Sequence, residues 1–155
     1  MSFTSVQRNL FVLLSVLFAG PALAYDCSIA ATPLNFGALA GVDGTTRRST
    51  ATLTVVCRGG AAAANVSYRI LLDGPAGEGR RQMSAGGHSA GYQLYTSNNY
   101  QQVWGNSGGG MITDGYSLEA NATVSRTYTV YASMKAGRDD RPGSYSATTV
   151  VQLLY

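Results

Sequence analysis

Beyond residue 25, apolar and polar positions alternate with a period of two, and no stretch holds the 3.6-residue period of a helix. Ser49 to Cys57 is the clearest case, with Ala51, Leu53, Val55 and Cys57 on one face and Thr50, Thr52 and Thr54 on the other. Val66, Tyr68, Ile70 and Leu72 form the next inward face, with Ser67 and Arg69 opposite, and Asp73-Gly74-Pro75 ends that run. Strand-like pieces follow around Arg81 to Ser84, Tyr92 to Tyr95, Gln102 to Trp104, Tyr116 to Leu118 and Arg126 to Tyr131, separated by Asn98-Asn99, Gly105 to Gly110 and Asp114-Gly115. The alanine run Ala61 to Ala64, preceded by two glycines, is too short to nucleate a helix and reads as a loop. Seven or eight short strands predict an all-β, immunoglobulin-like β-sandwich.

The final stretch organises the rest. After the turn signal Pro142-Gly143, β-branched and aromatic residues run to Tyr155 without a breaker. Tyr145, Ala147, Thr149, Val151, Leu153 and Tyr155 share one face, and the last residues turn apolar on both faces through Val150, Val151, Leu153 and Leu154. A chain that ends on such a strand must bury it.

The front end reads differently. Arg8 is the one charge before the apolar run Leu10 to Ala19, and Pro21 leads into Ala22-Leu23-Ala24, a small-x-small cleavage signature. Residues 1–24 are therefore expected to be a secretory signal peptide and 25–155 the folded domain. The apolar run is shorter than the ~20 residues that span a bilayer, so no stable membrane anchor is expected. In the oxidising compartment beyond the membrane, the even pair Cys27 and Cys57 reads as one disulfide, closing a loop of about thirty residues and stabilising the fold by roughly 3 to 4 kcal/mol.

Charge and chemistry narrow the function. Without Arg8, ten basic side chains face eight acidic ones, a balance too small and too dispersed for a nucleic-acid footprint. Arg47-Arg48 and Arg80-Arg81 sit beside turn sequence and read as solvated pairs. His88 is the sole imidazole, with no third ligand at metal spacing, so neither a metal nor any other cofactor is expected. No serine stands in a Gly-x-Ser-x-Gly elbow, Lys135 is the only lysine and falls on a predicted loop, and Asp139-Asp140 reads as a solvated acidic pair. The expectation is a binding or structural module and not an enzyme. Among ten tyrosines and one tryptophan, Tyr68, Tyr128 and Tyr145 fall on inward faces, while Tyr100 and Trp104 flank a turn before the glycine loop and are candidates for a surface contact.

Leu34-Asn35-Phe36-Gly37, the strand end Thr54-Val55-Val56-Cys57, Tyr92 to Tyr95 followed by Val103-Trp104-Gly105, and Tyr128 to Tyr131 leading into Pro142 to Tyr145 and Leu153 to Tyr155 together resemble the spore coat protein U domain family. That family's closing strand often reads Gly-x-Tyr-x-Asp followed by alternating valines, where this chain has Ala147 and Thr149. The resemblance covers essentially the whole of 25–155. It implies a subunit of an archaic, Csu-type chaperone-usher pilus, exported through the periplasm to the cell surface for adhesion or biofilm formation. It further implies a sandwich lacking its final strand. The implied partners are a periplasmic pilus chaperone, an outer-membrane usher and other pilus subunits, each engaged by strand addition. Carried onto this sequence, Tyr145, Thr149, Val151, Leu153 and Tyr155 are the implied lining of the donor-strand and chaperone groove.

A donor strand needs about 10 or more extended residues to fill such a groove. Cleavage after Ala24 leaves only Tyr25 and Asp26 before Cys27. The expectation is thus a subunit that accepts a strand without donating one, at the tip of a fibre or in an accessory position. Two other readings compete: a secreted spore or cyst coat protein, and a self-contained surface-binding sandwich using Tyr100, Trp104 and the glycine loop.

Overall fold

The computed structural model describes residues 24–37, 44–74, 80–106, 110–135, 137 and 140–155. The predicted leader lies outside the described residues apart from Ala24, as do parts of the loops at Gly41 to Gly44 and Gly105 to Gly110, and Asp139. Among the described residues eight strands are formed: β1 (Tyr25–Ala31), β2 (Thr46–Gly59), β3 (Ala64–Leu72), β4 (Arg81–Ala85), β5 (His88–Tyr95), β6 (Ile112–Leu118), β7 (Thr123–Lys135) and β8 (Val151–Leu154). They make two sheets, a five-stranded one in the order β1-β2-β7-β5-β4 and a three-stranded one in the order β6-β3-β8. Every pairing between these strands is antiparallel.

The threonine-rich alternation of β2 explains its central place. Leu53, Val55 and Cys57 are almost wholly buried on one face, and β7 pairs along nearly its full length. Across the core, β3 contributes Val66, Tyr68, Ile70 and Leu72, all 2% exposed or less. Such half-buried surfaces favour β-branched and aromatic side chains that pack across the pleat. At about 2 to 3 kcal/mol for each large apolar side chain removed from water, this inter-sheet layer supplies most of the driving force for folding.

Cys27 and Cys57 stand directly opposite each other in the β1–β2 register and form the disulfide. The bridge lies within one sheet and ties the edge strand β1 to its neighbour. Lys135, expected on a loop, instead ends β7 and pairs with Thr46.

The C-terminal stretch differs most from expectation. A continuous strand from Gly143 is predicted, yet only Val151–Leu154 is regular. The reason is a change of sheet. Ser146 exchanges backbone hydrogen bonds with Ser84 of β4 at 2.9 and 3.1 Å, whereas Val151 already pairs with Leu72 of β3. One extended segment cannot belong to both sheets without a break, and residues 147–149 make that crossing, since the Val150 carbonyl already accepts from the Asp73 amide.

Candidate functional site

β1 ends the five-stranded sheet and β8 ends the three-stranded one, so among the described residues each has a neighbour strand on one side only. These two edges face each other across one side of the sandwich. They approach at one end, where the Tyr155 hydroxyl donates to Asp26 Oδ1 at 2.8 Å and the rings of Tyr25 and Tyr155 lie 5.9 Å apart. That hydrogen bond raises the Tyr155 hydroxyl above its ordinary pKa.

Toward the other end the edges enclose a groove of about 300 Å³. Its rims are Ala31, Thr32 and Leu34 to Gly37, at and after the end of β1, and Tyr145, Ser146, Ala147, Thr149 and Val151, leading into β8. Its floor is the core itself: Leu53, Leu72, Leu94, Trp104, Val130 and Met134. Leu34 and Phe36 lean over the core from the first rim, and Phe36 meets Tyr92 edge-on at 6.2 Å. A groove whose floor is the hydrophobic core, lying between two sheet edges, offers both apolar pockets and backbone hydrogen-bonding groups to an extended peptide. β8 carries none of the features that usually protect an edge, having no charge and no proline in Val151-Gln152-Leu153-Leu154. Val150, Leu154 and Tyr155 are exposed beside it.

The structure brings three of the five groove candidates together at this site. Tyr145, Thr149 and Val151 line it. The Tyr145 hydroxyl is anchored on the Arg141 carbonyl at 2.7 Å, and Thr149 Oγ1 lies 3.3 Å from the Tyr92 hydroxyl. The other two do not line it: Leu153 packs on the core, and Tyr155 bonds to Asp26 at the end where β1 and β8 approach.

The surface-contact pair separates. Trp104 is not on the surface: it is 3% exposed, its indole N–H donates to the Ile70 carbonyl at 3.3 Å, and it forms part of the groove floor. After the turn at Ser97 to Tyr100, Val103 bridges to Tyr95 and the Trp104 amide donates to the Leu94 carbonyl at 2.9 Å, which sends the indole inward. Tyr100 is half-buried in the left-handed region at φ 60°, its ring packed on Tyr95 and Tyr131 and under the Arg48 guanidinium at 4.4 Å.

A polar cluster absent from the sequence expectations joins the two sheets. Tyr128 of β7 donates to Asp114 Oδ2 of β6, Tyr68 of β3 reaches the same oxygen at 3.4 Å, and the two hydroxyls bond to each other. Burial pushes the Asp114 carboxyl up, but the bonds from Tyr128, Gly115 and Tyr68 and the charge of Arg126 outweigh it and hold the group below the usual carboxylate range. Burial, and for Tyr128 also its bond to Asp114, raises both hydroxyls above the ordinary tyrosine value. Alternation placed Tyr68 and Tyr128 inward, but only the β3–β6 register puts an acid in position to receive them.

A family model described as the Spore Coat Protein U domain matches residues 13–152. The chain belongs to the Spore Coat Protein U domain family. No curated protein matches it. The architecture found is a nearly all-β sandwich with one disulfide, Cys27–Cys57. Among the described residues no helix is long and apolar enough to cross a membrane.

Proposed function

We propose that the chain is a structural subunit of an archaic chaperone-usher pilus, an incomplete sandwich that another chain completes by laying an extended strand between β1 and β8. The observation that carries this reading is the groove itself: the segment that follows β1 and the segment that leads into β8 stand apart over a floor of core side chains. Membership in the Spore Coat Protein U domain family supports the same reading. In export the completing strand comes from a periplasmic chaperone, and at the outer-membrane usher it comes from a neighbouring subunit. The assembled fibre serves surface adhesion or biofilm formation, and the protein is not an enzyme.

Position in the fibre turns on leader cleavage. Tyr25–Ala31 is already committed to pairing with β2, so a donor extension must come from residues ahead of Ala24. Cleavage after Ala24 makes the chain an acceptor only, suited to the tip or to an accessory position. The reading as a self-contained surface-binding sandwich loses its main aromatic, since Trp104 belongs to the core.

The test is export of the full chain into a periplasm with and without a pilus chaperone, followed by N-terminal sequencing of what accumulates. Accumulation only as a chaperone complex beginning at Tyr25 is expected. A protease-resistant monomer formed without the chaperone would favour the coat-protein reading, and a complex beginning well upstream of Tyr25 would remove the tip assignment.

A further inference from the structure

The backbone groups on the two facing edges alternate in direction. In β1 the Ala24 carbonyl, just ahead of the strand, accepts from the Gly60 amide, and the Thr32 amide, just after it, donates to the Thr52 carbonyl. The even-numbered residues therefore bond to β2, which turns the amides and carbonyls of Tyr25, Cys27, Ile29 and Ala31 to the open side. In the chain leading into β8 the Val150 carbonyl accepts from the Asp73 amide, so Gln152 and Leu154 turn to β3 while Val151 and Leu153 turn to the open side. These open groups are the ones a strand laid between β1 and β8 would use.

The groove meets β1 at Ala31 and β8 at Val151. Tyr155 and Asp26 stand at the opposite ends of the same two strands. To donate to Asp26 Oδ1 at 2.8 Å, the Tyr155 side chain crosses from the end of β8 to the edge of β1, where its ring packs on Tyr25 at 5.9 Å. Tyr25 is itself held, its hydroxyl donating to the Ser67 carbonyl of β3 at 3.4 Å. Neighbouring strands lie ~4.8 Å apart, so a strand seated between these edges needs the space that the Tyr155 side chain fills. The contact is readily reversed. Tyr155 is 49% exposed and Asp26 is exposed as well, so water replaces the bond on both sides when it breaks.

We propose that the Tyr155–Asp26 bond is a clasp: it holds the end of β8 to β1 before a strand arrives, and an incoming strand opens it in order to pair with the whole of β8. This rests on the reading of the groove as a strand acceptor. A strand that engages only Val151 leaves the clasp shut, whereas one that continues past Leu153 meets the Tyr155 ring. The clasp thus separates short engagement from full-length pairing.

In the experiment the exported chain, freed of its chaperone in denaturant and refolded with its disulfide intact, is mixed with a synthetic peptide. The peptide has about ten alternating valines and threonines, with a lysine at each end against self-association. Trp104, the single tryptophan and part of the groove floor, reports uptake through its emission. Tyr155→Phe, which keeps the ring and loses the bond, takes up the peptide about three- to tenfold faster than the natural sequence, and Asp26→Ala does the same. The double variant is no faster than either single one, because each change removes the same bond. Equal rates for the natural chain and Tyr155→Phe would overturn the clasp while leaving the groove as an acceptor. Rates that multiply in the double variant would also overturn it, the two residues then acting separately. No emission change with any of these proteins would overturn the acceptor reading and this inference with it.

Discussion

Asp114 is the residue on which the two sheets are joined by polar bonds, and its chemistry sets a pH window for stability. Its carboxyl is held below the usual range in the folded state, so the stabilisation it gives is complete above the unfolded value near 4 and is lost as pH falls through the folded one. Tyr68 and Tyr128 are shifted upward, so their contribution is complete below about pH 10 and lost as pH rises beyond it. Thermal midpoints should therefore form a plateau between about pH 4 and pH 10. Asp114→Asn should lower the plateau by about 1.5 to 3 kcal/mol and remove most of the acid-side slope, which a pH series of melts on the two proteins would reveal. Trp104 makes the second case at this scale. As a core side chain it should cost about 3 to 5 kcal/mol on truncation to Ala, whereas an exposed contact residue would cost little. Denaturant midpoints of Trp104→Ala distinguish the two. The inward faces of Tyr68 and Tyr128 were legible from alternation, because period two is a local property. Trp104 was not, because its direction depends on the turn at Ser97 to Tyr100 and on a bond to the Leu94 carbonyl, and neither leaves a periodic trace beside a glycine run.

Among the elements, β2, β3 and β7 were readable because each alternates over many residues and pairs with its neighbour over most of its length. β8 was readable as apolar on both faces, with its open edge implied only by the family resemblance, but not in its extent. Alternation from Tyr145 to Tyr155 is continuous, and nothing in a period of two marks the crossing from β4 to β3 between Ser146 and Val151. β1 matters for a related reason. As an edge strand with one neighbour, it depends on the disulfide to stay on β2 and hold its rim of the groove. Replacing Cys27 and Cys57 together by Ala should cost about 3 to 4 kcal/mol. The loss should appear first as rapid amide exchange across Tyr25–Ala31, with β7 and β5 still protected. Exchange accelerating evenly over all strands would instead mean that the bridge supports the whole fold at once.

For the molecule as a whole, the account rests on an asymmetry. Eight strands bury a core on one side, yet two edges remain half-paired over that same core, and Val150, Leu154 and Tyr155 stand exposed beside them. A domain that ended there would carry a standing risk of edge-to-edge association. A domain completed by another chain's strand would convert the same surface into its mode of assembly. The measurement that tests this most directly is hydrogen exchange at Val151–Leu154 and Tyr25–Ala31, comparing the chaperone-bound chain with the chain diluted free of chaperone. The account predicts that the β8 amides not bonded to β3, those of Val151 and Leu153, are protected in the complex and exchange freely within the time of dilution, while β2 and β7 stay protected in both. Equal protection of β8 in the two samples would contradict it, since the sandwich would then be complete without a partner.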